Sequence, residues 1–274
     1  MSEVEGCTLW LSALTWMKIA ALILICILTG PSLAQEITVA SAADLHAALD
    51  EISAHYKAAP STPVKIVYGS SGNLYQQIQN GAPFDLFLSA NSDYPKKLEA
   101  AGLIVAGSYY EYARGHIVLF VASTSTLNLE QGLQVLLDAS IKRIAIADPA
   151  HAPYGQAAIA VLKSQGLYDR VSRKIVVGEN VAQAASFVTS GAADVGIIAM
   201  SLALLPSARA QTRFAEIPAN EYPPIVQACV ILKSSKAQTA AARFLSYIRG
   251  PEASKVLQRY GFEVPATQDK PPLQ

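Results

Sequence analysis

Gly69-Ser70-Ser71-Gly72-Asn73 runs into Leu74-Tyr75-Gln76-Gln77-Ile78, and after Asn80-Gly81-Ala82-Pro83-Phe84-Asp85 follows Leu86-Phe87-Leu88-Ser89-Ala90. Upstream, 64–68 reads as a strand. The stretch is therefore strand, tight turn of small hydroxyl residues, short helix, strand. A helix start leaves its first backbone N–H groups unpaired, and here they gather with Ser hydroxyls around one point. The result is an anion socket without Lys or Arg. It suits a small oxyanion held in a closed cleft. The competing reading of Ser70 and Ser71 is a turn whose hydroxyls bond their own backbone.

The same alternation extends in both directions. Residues 36–40 read as a buried strand, and Leu45, Leu49, Ile52 and Tyr56 recur at helical spacing. A helix over 94–101 ends at Gly102. This βαβαβα order predicts a parallel sheet covered on both faces. A second unit follows, with strands at 143–147, 174–177 and 195–198 and helices at 155–164 and 181–190. Two strongly β runs, 116–121 and 225–232, are expected to cross between lobes, and helices at 239–248 and 251–260 close the chain. Gln79-Asn80-Gly81-Ala82-Pro83-Phe84-Asp85-Leu86-Phe87-Leu88 is echoed by Thr189-Ser190-Gly191-Ala192-Ala193-Asp194-Val195-Gly196-Ile197-Ile198. Each is a helix end, a Gly stop, an Asp turn and a buried strand. The echo predicts two similar lobes with a cleft between them, unless it is a common αβ turn met twice. Ligands of open parallel sheets bind at the carboxyl ends of the strands.

Residues 1–34 read as a secretory leader: Lys18, an apolar run over 19–28, and Thr29-Gly30-Pro31-Ser32-Leu33-Ala34 as the cleavage site. The run is short for a membrane span. Glu3 and Glu5 are out of place in such a leader, so Met17 competes with Met1 as the start. Cys7 and Cys26 lie in the leader, a lipid anchor at Cys26 is not expected after Ile25, and Cys229 alone excludes an intrachain disulfide in the exported chain. The 274-residue chain carries 21 basic and 21 acidic side chains, a balance that gives no footprint for nucleic acid. Residues 266–274 are polar and Pro-rich, and are expected to form a flexible tail.

Further candidates stand on single features. Asp148-Pro149-Ala150-His151-Ala152-Pro153-Tyr154-Gly155 leads from strand to helix and presents N–H groups and the Tyr154 hydroxyl, or is a plain helix start. Asp44, where the first strand gives way to its helix, fits an N-cap. His46, His55, His116 and His151 show no metal-ligand spacing, and Tyr109, Tyr110 and Tyr112 form either a packing cluster or a tyrosinate iron site. No nucleophile elbow, phosphate loop or dinucleotide fingerprint is present, so no enzyme is expected.

Taken in order, Ile37-Thr38-Val39 with Ala42-Ala43, Gly69-Ser70-Ser71-Gly72, Asn80-Gly81-Ala82-Pro83 with Leu88-Ser89-Ala90, Asp148-Pro149, Ala152-Pro153-Tyr154-Gly155, Gly191-Ala192-Ala193-Asp194 and Tyr260-Gly261-Phe262 resemble the periplasmic molybdate-binding proteins over roughly 36–265. The resemblance implies an α/β, two-lobed type II periplasmic binding protein fold, with the ligand cleft between the lobes and the two crossing strands as hinge. Lobe 1 would comprise 36–115 and 227–265, and lobe 2 would comprise 116–226. It implies a monomeric, periplasmic solute-binding protein without a resident cofactor, which hands molybdate or tungstate to the permease and ATPase of an ABC importer. It places ligand contacts on Ser71, Tyr154, Val181 and Asp44; a metal would enter only as the centre of the oxyanion on these same residues. Ala199 stands where one branch carries a Tyr, a hydroxyl that Tyr154 would replace.

Asp44 departs from the family, which has Ser or Asn there. A fully deprotonated oxyanion offers only acceptors, and an ionised carboxylate repels it. Asp44 either caps its helix and leaves its N–H to the ligand, or donates as a neutral acid, or accepts the O–H of a protonated, phosphate-like oxyanion. That last ligand class and ferric iron are the alternatives to molybdate; a sensing module without transport, or an enzyme on the same scaffold, would differ in class.

Overall fold

A computed structural model describes residues 36–56 and 62–265. The expected leader, with both candidate starts, Cys7 and Cys26, and the expected tail lie outside the described residues.

Among the described residues, ten strands form two sheets. The first holds β1 (Ile37–Ala42), β2 (Val64–Gly69), β3 (Leu86–Ser89), β4 (Tyr110–Gly115) and β10 (Ile225–Ile231), in the order β2-β1-β3-β10-β4. The second holds β5 (Ile117–Ala122), β6 (Ile144–Ala147), β7 (Ile175–Gly178), β8 (Val195–Ala199) and β9 (Thr212–Glu216), in the order β7-β6-β8-β5-β9. The plan is the same twice: three parallel strands, then one that runs against them. This is a two-lobed α/β fold. The helices are α1 (His46–His55), α2 (Ser71–Gln79), α3 (Asp93–Ala100), α4 (Pro153–Ser164), α5 (Tyr168–Val171), α6 (Val181–Thr189), α7 (Met200–Ala203), α8 (Pro206–Arg209), α9 (Gln238–Ile248) and α10 (Pro251–Arg259). A 3-10 turn, Ala43–Leu45, joins β1 to α1.

Strand alternation divides the first sheet's side chains between two cores. Leu86 and Leu88 face Phe244 and Leu245, whereas Phe87 faces Leu74 and Leu98. The echo noted in the sequence is built alike in both halves. Gly81 and Gly191 end their helices at φ +83° and +75°, where a side chain is strained. Asp85 then accepts the Thr38 N–H at 2.7 Å, and Asp194 accepts those of Lys142 and Arg143 at 2.7 and 2.8 Å. Each carboxylate pins the neighbouring strand as it starts.

The sheets are mixed, not parallel throughout as the alternation predicts. β10 is antiparallel to β3 and β4, and β5 is antiparallel to β8 and β9. A strand arriving from the other lobe has no crossover helix to turn it parallel. β4 and β9 had no clear pattern in the sequence. β4 pairs β10 across a bulge at Gln227/Ala228, and its burial does not alternate. His116 alone separates β4 from β5, so the first passage between sheets is one residue long; the second runs through 217–224.

Candidate functional site

Asp44, Ser71, Tyr154 and Val181 line one small cavity, together with Ala43 and Asn180. The centre of a water-sized sphere has ≈ 10 Å³ to move in there. No Lys, Arg or His is in its lining. Asp44 and Ser71 follow strands of the first sheet, Tyr154 and Val181 strands of the second. A larger groove of ≈ 410 Å³ between His46 and the α6–α8 side is lined mainly by apolar side chains.

Each helix start around the cavity leaves donors over. At α2, the Ser70 hydroxyl accepts the Asn73 N–H at 3.4 Å, and the Gly72 N–H goes to the His151 carbonyl at 2.8 Å. The Ser71 N–H stands outside both bonds. Ser71 Oγ accepts the Ala90 N–H at 2.9 Å, which leaves its hydroxyl proton to donate. Ser70 thus behaves as the turn reading has it, whereas Ser71 accepts a backbone N–H from another strand end and keeps its hydroxyl proton. At α6, Asn180 Oδ1 accepts the N–H groups of Ala182 and Gln183 at 3.0 and 3.1 Å, and Val181 N–H is left. At α4, Ala152 provides no side-chain cap and Pro153 has no N–H, so Tyr154 presents the first free amide.

Asp44 does not cap its helix. It lies inside the 3-10 turn, and neither that turn nor α1 has a side-chain cap bond, because the carboxylate is engaged elsewhere. Oδ2 accepts the Tyr154 hydroxyl at 2.8 Å and the Gln227 amide at 2.5 Å. Gln227 Nε2 also reaches Tyr154 Oη at 3.1 Å, and Tyr112 donates to Gln227 Oε1 at 2.7 Å. The Ser201 hydroxyl donates to the Asp44 carbonyl at 2.7 Å. Oδ1 is buried and has no partner. Burial pushes the Asp44 carboxyl up to about 6, against the hydrogen bonds from Gln227 and Tyr154 and the weaker pull of the backbone N–H groups of Asp44 and Leu45. Burial, then the nearby Asp44, holds the Tyr154 phenol well above its ordinary value. With its hydroxyl proton on Asp44, Tyr154 offers the cavity its main-chain N–H.

Gln227, Ser201 and Gly115 were not singled out from the sequence, and Tyr112 was read there only as a packing or iron-site tyrosine. Gln227 had a signal: it is the one polar residue in the apolar run of β10, and it is fully buried. Gly115 had none. A Cβ there would overlap the Tyr154 hydroxyl, a clash that exists only once β4 and α4 meet. The tyrosine cluster does not converge on an iron site. Tyr109 bonds Glu111, Tyr112 bonds Gln227, and Tyr110 lies under the Arg249 guanidinium. Among the described residues, no group of three His, Cys, Asp or Glu is placed to hold a metal ion. His46 packs on Tyr68, and His151 serves the cleft through its carbonyl.

The bacterial extracellular solute-binding protein family matches residues 37–263. The molybdate-binding protein ModA of Azotobacter vinelandii is 38% identical over 84% of this chain and 90% of its own length. That of Rhodobacter capsulatus is 36% identical over 88% of this chain and 94% of its own. Among solved structures, a periplasmic molybdate-binding protein of Azotobacter vinelandii matches with a TM-score of 0.79 at 36% identity, covering 84% of this chain and 100% of that one.

Proposed function

The chain belongs to the bacterial extracellular solute-binding proteins, and on that premise we propose that it captures molybdate or tungstate and delivers it to the permease and ATPase of an ABC importer. One observation carries the reading. Leftover donors from both lobes, Ser71 N–H and Oγ–H on one side and Tyr154 and Val181 N–H on the other, surround a small space whose lining contains no cationic side chain. Amide and hydroxyl dipoles pointed inward neutralise an oxyanion and reject a cation. The contacts fall on ligand oxygens, not on the metal they enclose. Closure follows from the same arrangement, since a ligand touching donors of both lobes draws them together about His116 and 217–224. The relatives named above as molybdate-binding support the choice of anion. The exported, periplasmic location and the monomeric state belong to the same proposal. No helix among the described residues is long and apolar enough to cross a membrane.

A calorimetric panel of molybdate, tungstate, sulfate, phosphate and chromate tests this. Molybdate and tungstate are expected to bind most tightly, as the molybdate-binding relatives suggest. Tighter binding of sulfate, or binding of ferric iron alone, would overturn the assignment. A second reading, a protonated oxyanion such as hydrogenphosphate, is favoured by one observation: Asp44 Oδ1 is an acceptor that lacks a donor.

A further inference from the structure

Asp44 places a carboxylate in a cavity otherwise built of donors, and its two oxygens are not equivalent. Oδ2 already accepts from two groups, Tyr154 Oη and Gln227 Nε2. The amide is itself fixed by Tyr112. Oδ2 therefore has no room for a proton of its own. Oδ1 is buried on a residue 2% exposed and has no well-formed hydrogen bond; the nearby backbone N–H groups of Asp44 and Leu45 only weakly favour the ionised carboxylate. An ionised Oδ1 left in that state lacks a donor, and a protonated one lacks an acceptor. Asp44 is one of the residues that line the cavity, so a ligand seated there is the candidate for the missing partner.

Taking the oxyanion reading above as given, we infer that the bound complex holds one proton between Asp44 Oδ1 and a ligand oxygen, making Asp44 the residue that couples recognition to proton number. Two descriptions fit: a neutral carboxyl donating to a dianion, or a carboxylate accepting from a protonated anion. They differ only in where one proton lies along one hydrogen bond, and the atoms balance identically. A ligand that carries no proton must take one from solvent on binding, whereas a ligand that already carries one brings it along.

The surroundings keep this proton on Asp44 and not on a neighbour. The titratable groups facing it are phenols: Tyr154 from α4, Tyr112 from β4 and, beyond Tyr154, Tyr222 ahead of β10. Burial keeps all three protonated in ordinary buffers. α6 contributes no titratable side chain, α7 contributes the neutral Ser201 and β10 the neutral Gln227. His46, the first residue of α1, turns to Asp50 and Tyr68. No ammonium or guanidinium among the described residues pairs with the carboxylate. The raised Asp44 value agrees with a group ready to take the proton when a dianion arrives.

The test is calorimetry at about pH 8 in buffers of different ionisation heats, with molybdate, tungstate and phosphate as probes. Protons brought by the ligand plus protons taken up should total about one per complex: about one taken up with molybdate or tungstate, and close to none with hydrogenphosphate. Molybdate affinity should fall about tenfold per pH unit above the Asp44 value. Asp44→Asn should bind molybdate with no uptake and with affinity independent of pH. Tight binding of molybdate to the unaltered protein with no proton uptake would overturn the inference and leave the oxyanion reading standing. No binding of any probe would overturn both. The proton count on the unaltered protein decides the matter even if Asp44→Asn does not fold.

Discussion

Asp44 and Gly115 show how single positions set this site. The folded Asp44 carboxyl lies at about 6, against 3.8 for an exposed one. Between those values the folded state holds more protons than the unfolded state, so stability is lost as pH rises through the window, and the loss persists above it. The difference corresponds to roughly 3 kcal/mol. In urea unfolding at about pH 4 to 7, the unaltered protein should lose stability relative to Asp44→Asn by up to that amount; parallel curves would show that the carboxylate is not strained by burial. Gly115→Ala would drive a methyl group into the Tyr154 hydroxyl. Overpacking of this kind costs about 1–3 kcal/mol, and Tyr154→Phe, which removes the obstructing oxygen, should return part of it. Additive costs in the double variant would mean that the two residues do not meet.

At the scale of elements, the site is a set of helix starts whose caps decide which donors stay free. Asn180 satisfies two amides of α6 and leaves Val181 to the cavity. Asn180→Ala should therefore cost about 1 kcal/mol in thermal unfolding. Asn180→Asp keeps the cap and the stability, but sets a negative charge beside the bound anion, so oxyanion affinity should drop at least about tenfold. Equal affinity with both residues would place the anion away from α6. The two Asp anchors, Asp85 and Asp194, have the same part in the two lobes, which is why the echoed segments could be recognised before any contact was known.

At the scale of the described residues together, two similar sheets are joined by a single residue at His116 and by 217–224, with direct hydrogen bonds across the cleft. Gly72 N–H to the His151 carbonyl, Ser201 to the Asp44 carbonyl and Tyr154 to the Asp44 carboxylate each tie one half to the other. A ligand seated among these ties stabilises both halves at once. At a hundred times its Kd it should add about 2.7 kcal/mol to one cooperative transition. Two transitions, of which only one moves with ligand, would show that the site belongs to a single lobe.

The sequence by itself determined the alternation of strands and helices, the doubled Gly-Asp unit and the strand-to-helix turns that carry Ser71, Tyr154 and Val181. These rest on local periodicity and on backbone groups that every helix start leaves unpaired. It did not determine the antiparallel strands, since direction depends on which lobe a strand arrives from, nor β4, whose bulge breaks the period. Asp44 was visible as the one departure, but its use was not. Sequence spacing favours an N-cap, and only the meeting of α4, β4 and β10 brings Tyr154, Tyr112 and Gln227 to it and leaves Oδ1 bare. A helix cap is decided within a few residues of chain, whereas the state of a buried carboxylate is decided by whatever the folded chain packs against it.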